Sequence, residues 1–167
     1  MIFTDGSRYD GTWKNDQING YGRLIHANGD IYEGEWKNDK AEGKGSYYHV
    51  DGITYEGEWK KDKQNGFGVE VWPDGSRYEG QYVNGMKNGT GWFKWNDGSE
   101  YRGNFKDNNI NGQGIYKWPD GRMYDGMWLD NKMNGYGTFS WDDGRKYVGN
   151  HVNDKREGYG VLTWYFV

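Results

Sequence analysis

The chain has no cysteine and only two prolines among its 167 residues. The first absence excludes disulfides and thiolate metal sites and leaves the redox compartment open. Aliphatic residues are scarce: hydrophobic residues make up 34% of the chain, and aromatics alone make up 19%. An ordinary core of Leu, Ile and Val is therefore excluded, and buried area must come from rings, each able to cover roughly 150–250 Å². No apolar run is long enough to span a membrane as a helix. The opening residues Met1-Ile2-Phe3-Thr4-Asp5-Gly6 have no apolar signal-like region, and the expected setting is soluble and cytoplasmic. A basic patch is also missing. Residues 1–83 carry 10 basic and 15 acidic side chains, and residues 84–167 carry 11 and 10, so general affinity for nucleic acid is excluded. No Ser/His/Asp set, phosphate loop or pair of buried carboxylates stands out, so neither an enzyme nor a cofactor is expected.

What is present is a period. Tyr recurs at 9, 32, 55, 78, 101, 124 and 147, always 23 residues apart. Counting each unit from its Tyr, Gly fills the third, twelfth, fourteenth and twenty-first positions, which absorb 28 of the 29 glycines and leave only Gly85 over. A fixed period of this length marks a repeat array, here one array over residues 1–167. Two aromatic ladders accompany it. The fifth position reads Trp13, Trp36, Trp59, Tyr82, Phe105, Trp128 and His151. The eighteenth reads Phe3, His26, His49, Trp72, Trp95, Trp118, Trp141 and Trp164.

Each unit contains two short aromatic segments without a 3.6-residue period, which predicts strands rather than helices. One is Arg77–Tyr82 and the other Gly89–Trp95, with Asn84-Gly85-Met86-Lys87-Asn88 as the polar turn between them. The segment Trp72-Pro73-Asp74-Gly75-Ser76 predicts a type I turn followed by a left-handed glycine, the three-residue hairpin loop with a bulge. That loop sets the register: Trp72 opposite Ser76, Glu70 opposite Tyr78, Gly68 opposite Gly80, Gly66 opposite Tyr82. Rings then share one face with a glycine floor, while Glu33, Glu35, Lys37, Glu56, Glu58 and Lys60 take the other. The predicted fold is all-β: an elongated single-layer antiparallel meander of about fifteen short strands, built from seven 23-residue hairpin repeats.

The pattern Tyr-x-Gly-x-Trp, then Gly-x-Gly, then a turn Gly resembles the MORN (membrane occupation and recognition nexus) repeat. Tyr32-Glu33-Gly34-Glu35-Trp36-Lys37-Asn38 and Asn65-Gly66-Phe67-Gly68 carry the resemblance, with Tyr82, Phe105 and His151 standing where Trp is usual. The resemblance implies a non-enzymatic scaffold or adaptor, with members in ciliary radial spokes, cytoskeletal scaffolds and myosin adaptors. It implies a groove that holds a partner helix in some members, terminal repeats that dimerise in others, and a proposed affinity for phospholipid.

On these grounds the expected function is binding of a protein segment, an amphipathic helix, in an aromatic-lined groove, within a cytoskeletal or ciliary assembly. The groove is assigned to Trp72, Trp95, Trp118 and Trp141 with Tyr78, Tyr101 and Tyr124, although the Tyr ladder also has to supply the hydrophobic core. Trp is favoured for the groove because it is not needed for packing beside a tight turn and is enriched at binding hot spots. Trp164, Tyr165 and Phe166 form a candidate self-association edge. The alternative is a membrane tether for anionic phospholipid, against which Lys37, Lys60 and Lys106 stand interleaved with acids. A carbohydrate- or choline-binding array is a third class, disfavoured by the period. No metal site is expected. His26 and His49 stand one unit apart, about 10 Å, too far for one ion. The recurrent turn aspartates Asp5, Asp51, Asp74, Asp97, Asp120 and Asp143 are explained by turn geometry.

Overall fold

The computed structural model describes residues 1–164. Its contacts divide the chain into two compact units, residues 1–86 and 87–167. The first contains β1 (Arg8–Lys14), β2 (Gln17–Ile25), β3 (Ile31–Lys37), β4 (Lys40–Tyr48), β5 (Thr54–Lys60), β6 (Lys63–Val71) and β7 (Arg77–Val83). The second contains β8 (Met86–Lys94, starting at the division), β9 (Glu100–Lys106), β10 (Asn109–Lys117), β11 (Met123–Leu129), β12 (Lys132–Ser140), β13 (Lys146–Val152) and β14 (Lys155–Thr163). The described residues form no helix, and the 14 strands follow chain order in one antiparallel sheet. The strand count falls one short of fifteen because the first residues supply only an isolated bridge, Ile2 to Arg8.

The long hairpin loop is as predicted. Trp72 N–H donates to Ser76 O (3.0 Å), Gly75 N–H donates to Trp72 O (3.0 Å), and Gly75 has φ +87°. The register that follows pairs Glu70 with Tyr78, Gly68 with Gly80 and Gly66 with Tyr82. The turn aspartates brace this loop. Asp74 Oδ1 accepts from Ser76 N–H (2.8 Å), and Asp97 and Asp143 do the same for Ser99 and Arg145 (2.8 and 3.1 Å).

The short turn corrects the sequence reading. Only Asn84 and Gly85 lie outside strands there; Met86, Lys87 and Asn88 already belong to β8. The equivalent pairs Asn38-Asp39 and Asp130-Asn131 have φ of 49° and 63°, and 45° and 66°, which defines the two-residue type I′ hairpin. These turns also join successive repeats. Asp62 N–H donates to Ala41 O (3.1 Å) while Asp62 Oδ1 accepts from Ala41 N–H (2.8 Å), closing a two-point clasp. Asp39 clasps Ile18, Asn108 clasps Lys87, Asn131 clasps Ile110 and Asp154 clasps Met133 in the same way.

Even-numbered strands have nine residues against seven for odd ones. The surplus forms a bulge: Gly34 pairs with Gly45 but Trp36 pairs with Ala41. The bulge exposes a backbone N–H on the polar face, and an acid from the facing strand captures it, as Glu58 Oε1 does for Phe67 N–H (2.9 Å).

The core is a zigzag of rings. In the first unit Tyr32 stands edge-on to Trp36 (4.9 Å between centroids) and to Trp59 (5.1 Å), and Tyr55 meets Trp59 and Tyr82 (both 5.2 Å) in the same way. In the second unit Tyr101 meets Phe105 and Trp128 (5.3 and 5.7 Å), and Tyr124 meets Trp128 and His151 (5.2 and 5.0 Å). Edge-to-face pairs of this kind are each worth about 0.5–1.5 kcal/mol beyond area burial. Each Tyr lies flat over two paired glycines and its hydroxyl donates to a backbone carbonyl, Tyr55 to Glu58 O at 3.0 Å. A Cβ on Gly57 would stand 2.5 Å from Tyr55 Oη, so the glycine floor is a requirement of the ring.

Candidate functional site: a row of rings above the core

Alongside the zigzag runs a second set of rings, from the sixteenth and eighteenth positions. In the second unit these are Phe93, Trp95, Tyr116, Trp118, Phe139 and Trp141, all half-buried. Rings of one strand lie close: Phe93–Trp95 at 4.4 Å, Tyr116–Trp118 at 4.6 Å and Phe139–Trp141 at 4.7 Å. Rings of successive repeats lie slightly farther apart, Trp95–Tyr116 at 5.3 Å and Trp118–Phe139 at 5.4 Å. All five pairs are tilted between 30° and 55°, so the six form one continuous row. Arginines rest on it: Arg122 over Trp118 (5.3 Å), and Arg145 and Arg156 over Trp141 (5.1 and 5.7 Å). Position eighteen supplies only the tryptophans of this row; the sequence signal for the other rings is the aromatic run Phe93, Tyr116 and Phe139 at position sixteen.

The seven residues assigned to a groove separate into two groups. Trp95, Trp118 and Trp141 are in the row. Trp72 holds the equivalent place in the first unit, two residues from Glu70, whose carboxylate accepts the Tyr82 hydroxyl (2.8 Å). Tyr78, Tyr101 and Tyr124 are a correction: all three are 0% exposed and belong to the core. Tyr101 is enclosed between Phe105 and Trp128, and Tyr124 between Trp128 and His151, so no partner can touch them; Tyr78 is equally buried, against Tyr82. Trp164 is 57% exposed, while Tyr165 and Phe166 lie outside the described residues.

The first unit places different chemistry on the same track. Its sixteenth and eighteenth positions are Leu24, His26, Tyr47, His49, Glu70 and Trp72. Tyr47 lies between the histidines, 5.8 Å from His26 and 4.6 Å from His49. Buried Asp30 anchors this node, accepting from Val50 N–H (2.9 Å), Asn28 (2.9 Å) and the Tyr47 hydroxyl (3.0 Å). The Val50 amide first, then Asn28, hold its carboxyl below the usual range, and burial together with Asp30 pushes Tyr47 up to about 12.

The opposite face is less uniformly polar than predicted. Tyr21, Phe67, Tyr136 and Tyr159 emerge there from the thirteenth position, between two glycines, each more than half exposed. Between Tyr21 and Phe67 lies a shallow pocket of about 510 Å³ bordered by Glu33, Lys44, Glu56 and Glu58.

A single antiparallel sheet assembled from repeated hairpins, with its core laid on one face, defines a tandem-repeat β protein. The profile of the MORN repeat matches residues 9–31, 32–54, 55–77, 78–100, 101–121, 124–144 and 147–165, and the chain belongs to that family. No curated protein matches the chain. Among solved structures it is similar to the TCP domain of Sas-4 (dCPAP) from Drosophila melanogaster, determined with a proline-rich motif of Ana2. The identity is 18%, with 88% of this chain and 80% of that one covered, at a TM-score of 0.52. The TCP10 domain of Danio rerio CPAP, solved with a STIL peptide, matches at 14% identity over 89% of this chain and 76% of that one, TM-score 0.37. At such identities the likeness bears on the fold alone.

Proposed function

We propose that the chain is a binding adaptor whose ring row in the second unit holds a protein segment, an amphipathic helix, in a cytoskeletal or ciliary assembly. The observation that carries this is the row itself. The Tyr zigzag already supplies a core, so six further half-buried rings in line are surplus to folding and suited to anchor apolar side chains. Ring pairs recur every two strands, about 9.6 Å. Residues i and i+7 of a helix lie about 10.5 Å apart on one side, close to that period. The TCP domain of Sas-4, similar in fold, was determined in complex with a proline-rich motif of Ana2, so the test includes a proline-rich ligand as well.

Helical and proline-rich peptides selected from a display library against the intact chain are measured by fluorescence anisotropy. The Trp95→Ala/Trp118→Ala variant is expected to lose at least about 100-fold in affinity for a helical binder, two truncations of ~1.4 kcal/mol or more each, while circular dichroism stays β-like. Unchanged affinity, or selection of proline-rich sequences alone, counts against the helical reading.

A second reading draws on the first unit. Lys37 pairs with Lys40 and Lys60 with Lys63 directly across their hairpins, an arrangement that like charges disfavour. Lysines gathered at the short turns support contact with anionic phospholipid. Co-sedimentation with phosphatidylserine vesicles that is lost on changing all four to Gln supports it; co-sedimentation indifferent to lipid charge removes it.

A further inference from the structure

We infer that the segment held by the ring row is acidic: its apolar side chains enter between the rings while its carboxylates meet Arg122, Arg145 and Arg156. This rests on the reading of the row as a binding site. The row is apolar along its length but not along its margin. Arg122 stacks on Trp118, and Arg145 and Arg156 both stack on Trp141. Arg145 also lies over Trp164 (5.6 Å) and Arg156 over Tyr147 (5.4 Å). Guanidinium groups lying over rings are restrained before any partner arrives, so less side-chain freedom is lost when a carboxylate pairs with them.

Two of these arginines already touch a carboxylate, and the geometry of that contact matters. Arg122 donates through Nε to Asp120 Oδ2 and Arg145 through Nε to Asp143 Oδ2, both at 2.7 Å. Those aspartates use Oδ1 for the turn, accepting from Arg122 N–H and Arg145 N–H (both 3.1 Å). Each aspartate is thus committed to its loop and orients the guanidinium by a single nitrogen. The two terminal nitrogens of each fork, the pair suited to bidentate recognition of a carboxylate, make no hydrogen bond to a described residue. Arg156 has no carboxylate partner among the described residues and is exposed. Arg122 and Arg145 hold equivalent positions one repeat apart, about 9.6 Å, the spacing already set by the rings. Acidic residues seven apart on a helix therefore match both arginines when its apolar residues match the rings.

The first unit shows that the repeat does not demand this. At the twenty-second position it carries Ser7, Asp30, Ile53 and Ser76, none of them a cation. In the second unit that position is still Ser99 beside Trp95, and arginine enters at the next two, beside Trp118 and Trp141.

The test uses two synthetic amphipathic helices with the same apolar side, one flanked by Glu at i and i+7, the other by Lys, titrated against the intact chain at low and high salt. The expected result is tighter binding of the Glu peptide by about tenfold at low salt, a preference that shrinks as salt is raised. Arg122→Glu/Arg145→Glu is expected to reverse the preference, and Arg122→Gln/Arg145→Gln, which keeps a stacking group without charge, to abolish it. Equal affinity for both peptides, or preference for the Lys peptide, overturns the acidic assignment and leaves the ring row standing. Failure of both peptides to bind overturns the reading of the row itself.

Discussion

At the sixteenth and eighteenth positions the first unit carries Leu24, His26, Tyr47, His49, Glu70 and Trp72, while the second carries Phe93, Trp95, Tyr116, Trp118, Phe139 and Trp141. The backbone beneath them is the same: equal strand lengths, the same loops, the same Tyr over paired glycines. One track therefore bears a polar node tied to Asp30 in one unit and an unbroken row of rings in the other. The repeat specifies a platform, and the positions it leaves unspecified specify what the platform holds. If that division of labour is right, changes to the platform should act alike in both units, and changes to the track should act in one.

The largest effect is expected at the glycine floor. In the first unit a Cβ on Gly57 meets Tyr55 Oη and the backbone of Gly68 and Phe67, at 2.5–2.6 Å; in the second a Cβ on Gly126 meets Gly137 Cα and the Tyr124 ring, at 2.6 Å. Neither backbone nor buried ring can give way cheaply. Gly57→Ala and Gly126→Ala should each destabilise by about 3 kcal/mol, from overpacking and partial loss of a buried Tyr. Urea unfolding followed by Trp fluorescence measures both, and a difference of more than about 1 kcal/mol between them would break the equivalence of the two platforms.

Much of the platform was legible in the sequence because single residues have single jobs there. Pro73, Asp74 and Gly75 allow only one loop, and that loop dictates the pairing from Trp72 to Tyr82. The short turn was not legible. Asn38-Asp39 and Lys61-Asp62 lack the usual glycine, and the reward for Asp at the second place is a bond to a residue 21 positions earlier, which no local pattern displays. The site was half legible. Period alone shows that a ladder exists but not whether it lies within the core or above it. Tyr101 and Trp95 sit on ladders of the same 23-residue spacing, yet Phe105 and Trp128 enclose Tyr101 completely while Trp95 stays half open.

Acid should reach His151 in the second unit at a higher pH than the Asp30 node in the first. His151 stands in the second unit where Trp128 stands one repeat earlier, 2% exposed, with Nδ1 lacking a hydrogen-bond partner. Burial holds its pKa below the ordinary 6.5, with nearby Arg156 adding to the effect. The folded chain therefore refuses a proton that the unfolded chain accepts. Stability is intact above pH 6.5 and declines as pH falls below it. Asp30 works oppositely in charge and lower in range. Its folded pKa is depressed from 3.8, so its contribution is complete above 3.8 and disappears as pH falls through the folded value. Hydrogen exchange, corrected for intrinsic rate, should show β13 and β14 losing protection between about pH 7.5 and pH 5, and His151→Trp should remove that loss. Equal protection of wild-type β13 and β14 at both values would show that the histidine is no weak point.

The smallest effect tests the clasp between repeats. Gly85 occupies the turn position held by Asp39 and Asp62 in the first unit and by Asn108, Asn131 and Asp154 in the second. Its N–H still donates to Gln64 O (2.9 Å), so the backbone half of the clasp survives while the side-chain half is missing. The backbone there, φ +82°, is in the region that Asp39, Asp62 and Asp154 adopt at 63–68°, and the atom nearest to an added Cβ is Gln64 Oε1 at 3.6 Å. Asp therefore fits. It adds one hydrogen bond to a backbone N–H, about 0.5–1.5 kcal/mol, and restricts the unfolded chain. Gly85→Asp should raise the urea midpoint by an amount equivalent to about 1 kcal/mol. Gly85→Ala adds the left-handed strain without the acceptor and should lower it. If Ala and Asp behave alike, the clasp contributes nothing and these two repeats are joined by the strand ladder and the ring zigzag alone. If they differ as expected, the one glycine outside the repeat pattern marks a joint weaker than its neighbours, inside the unit whose track is already the less regular.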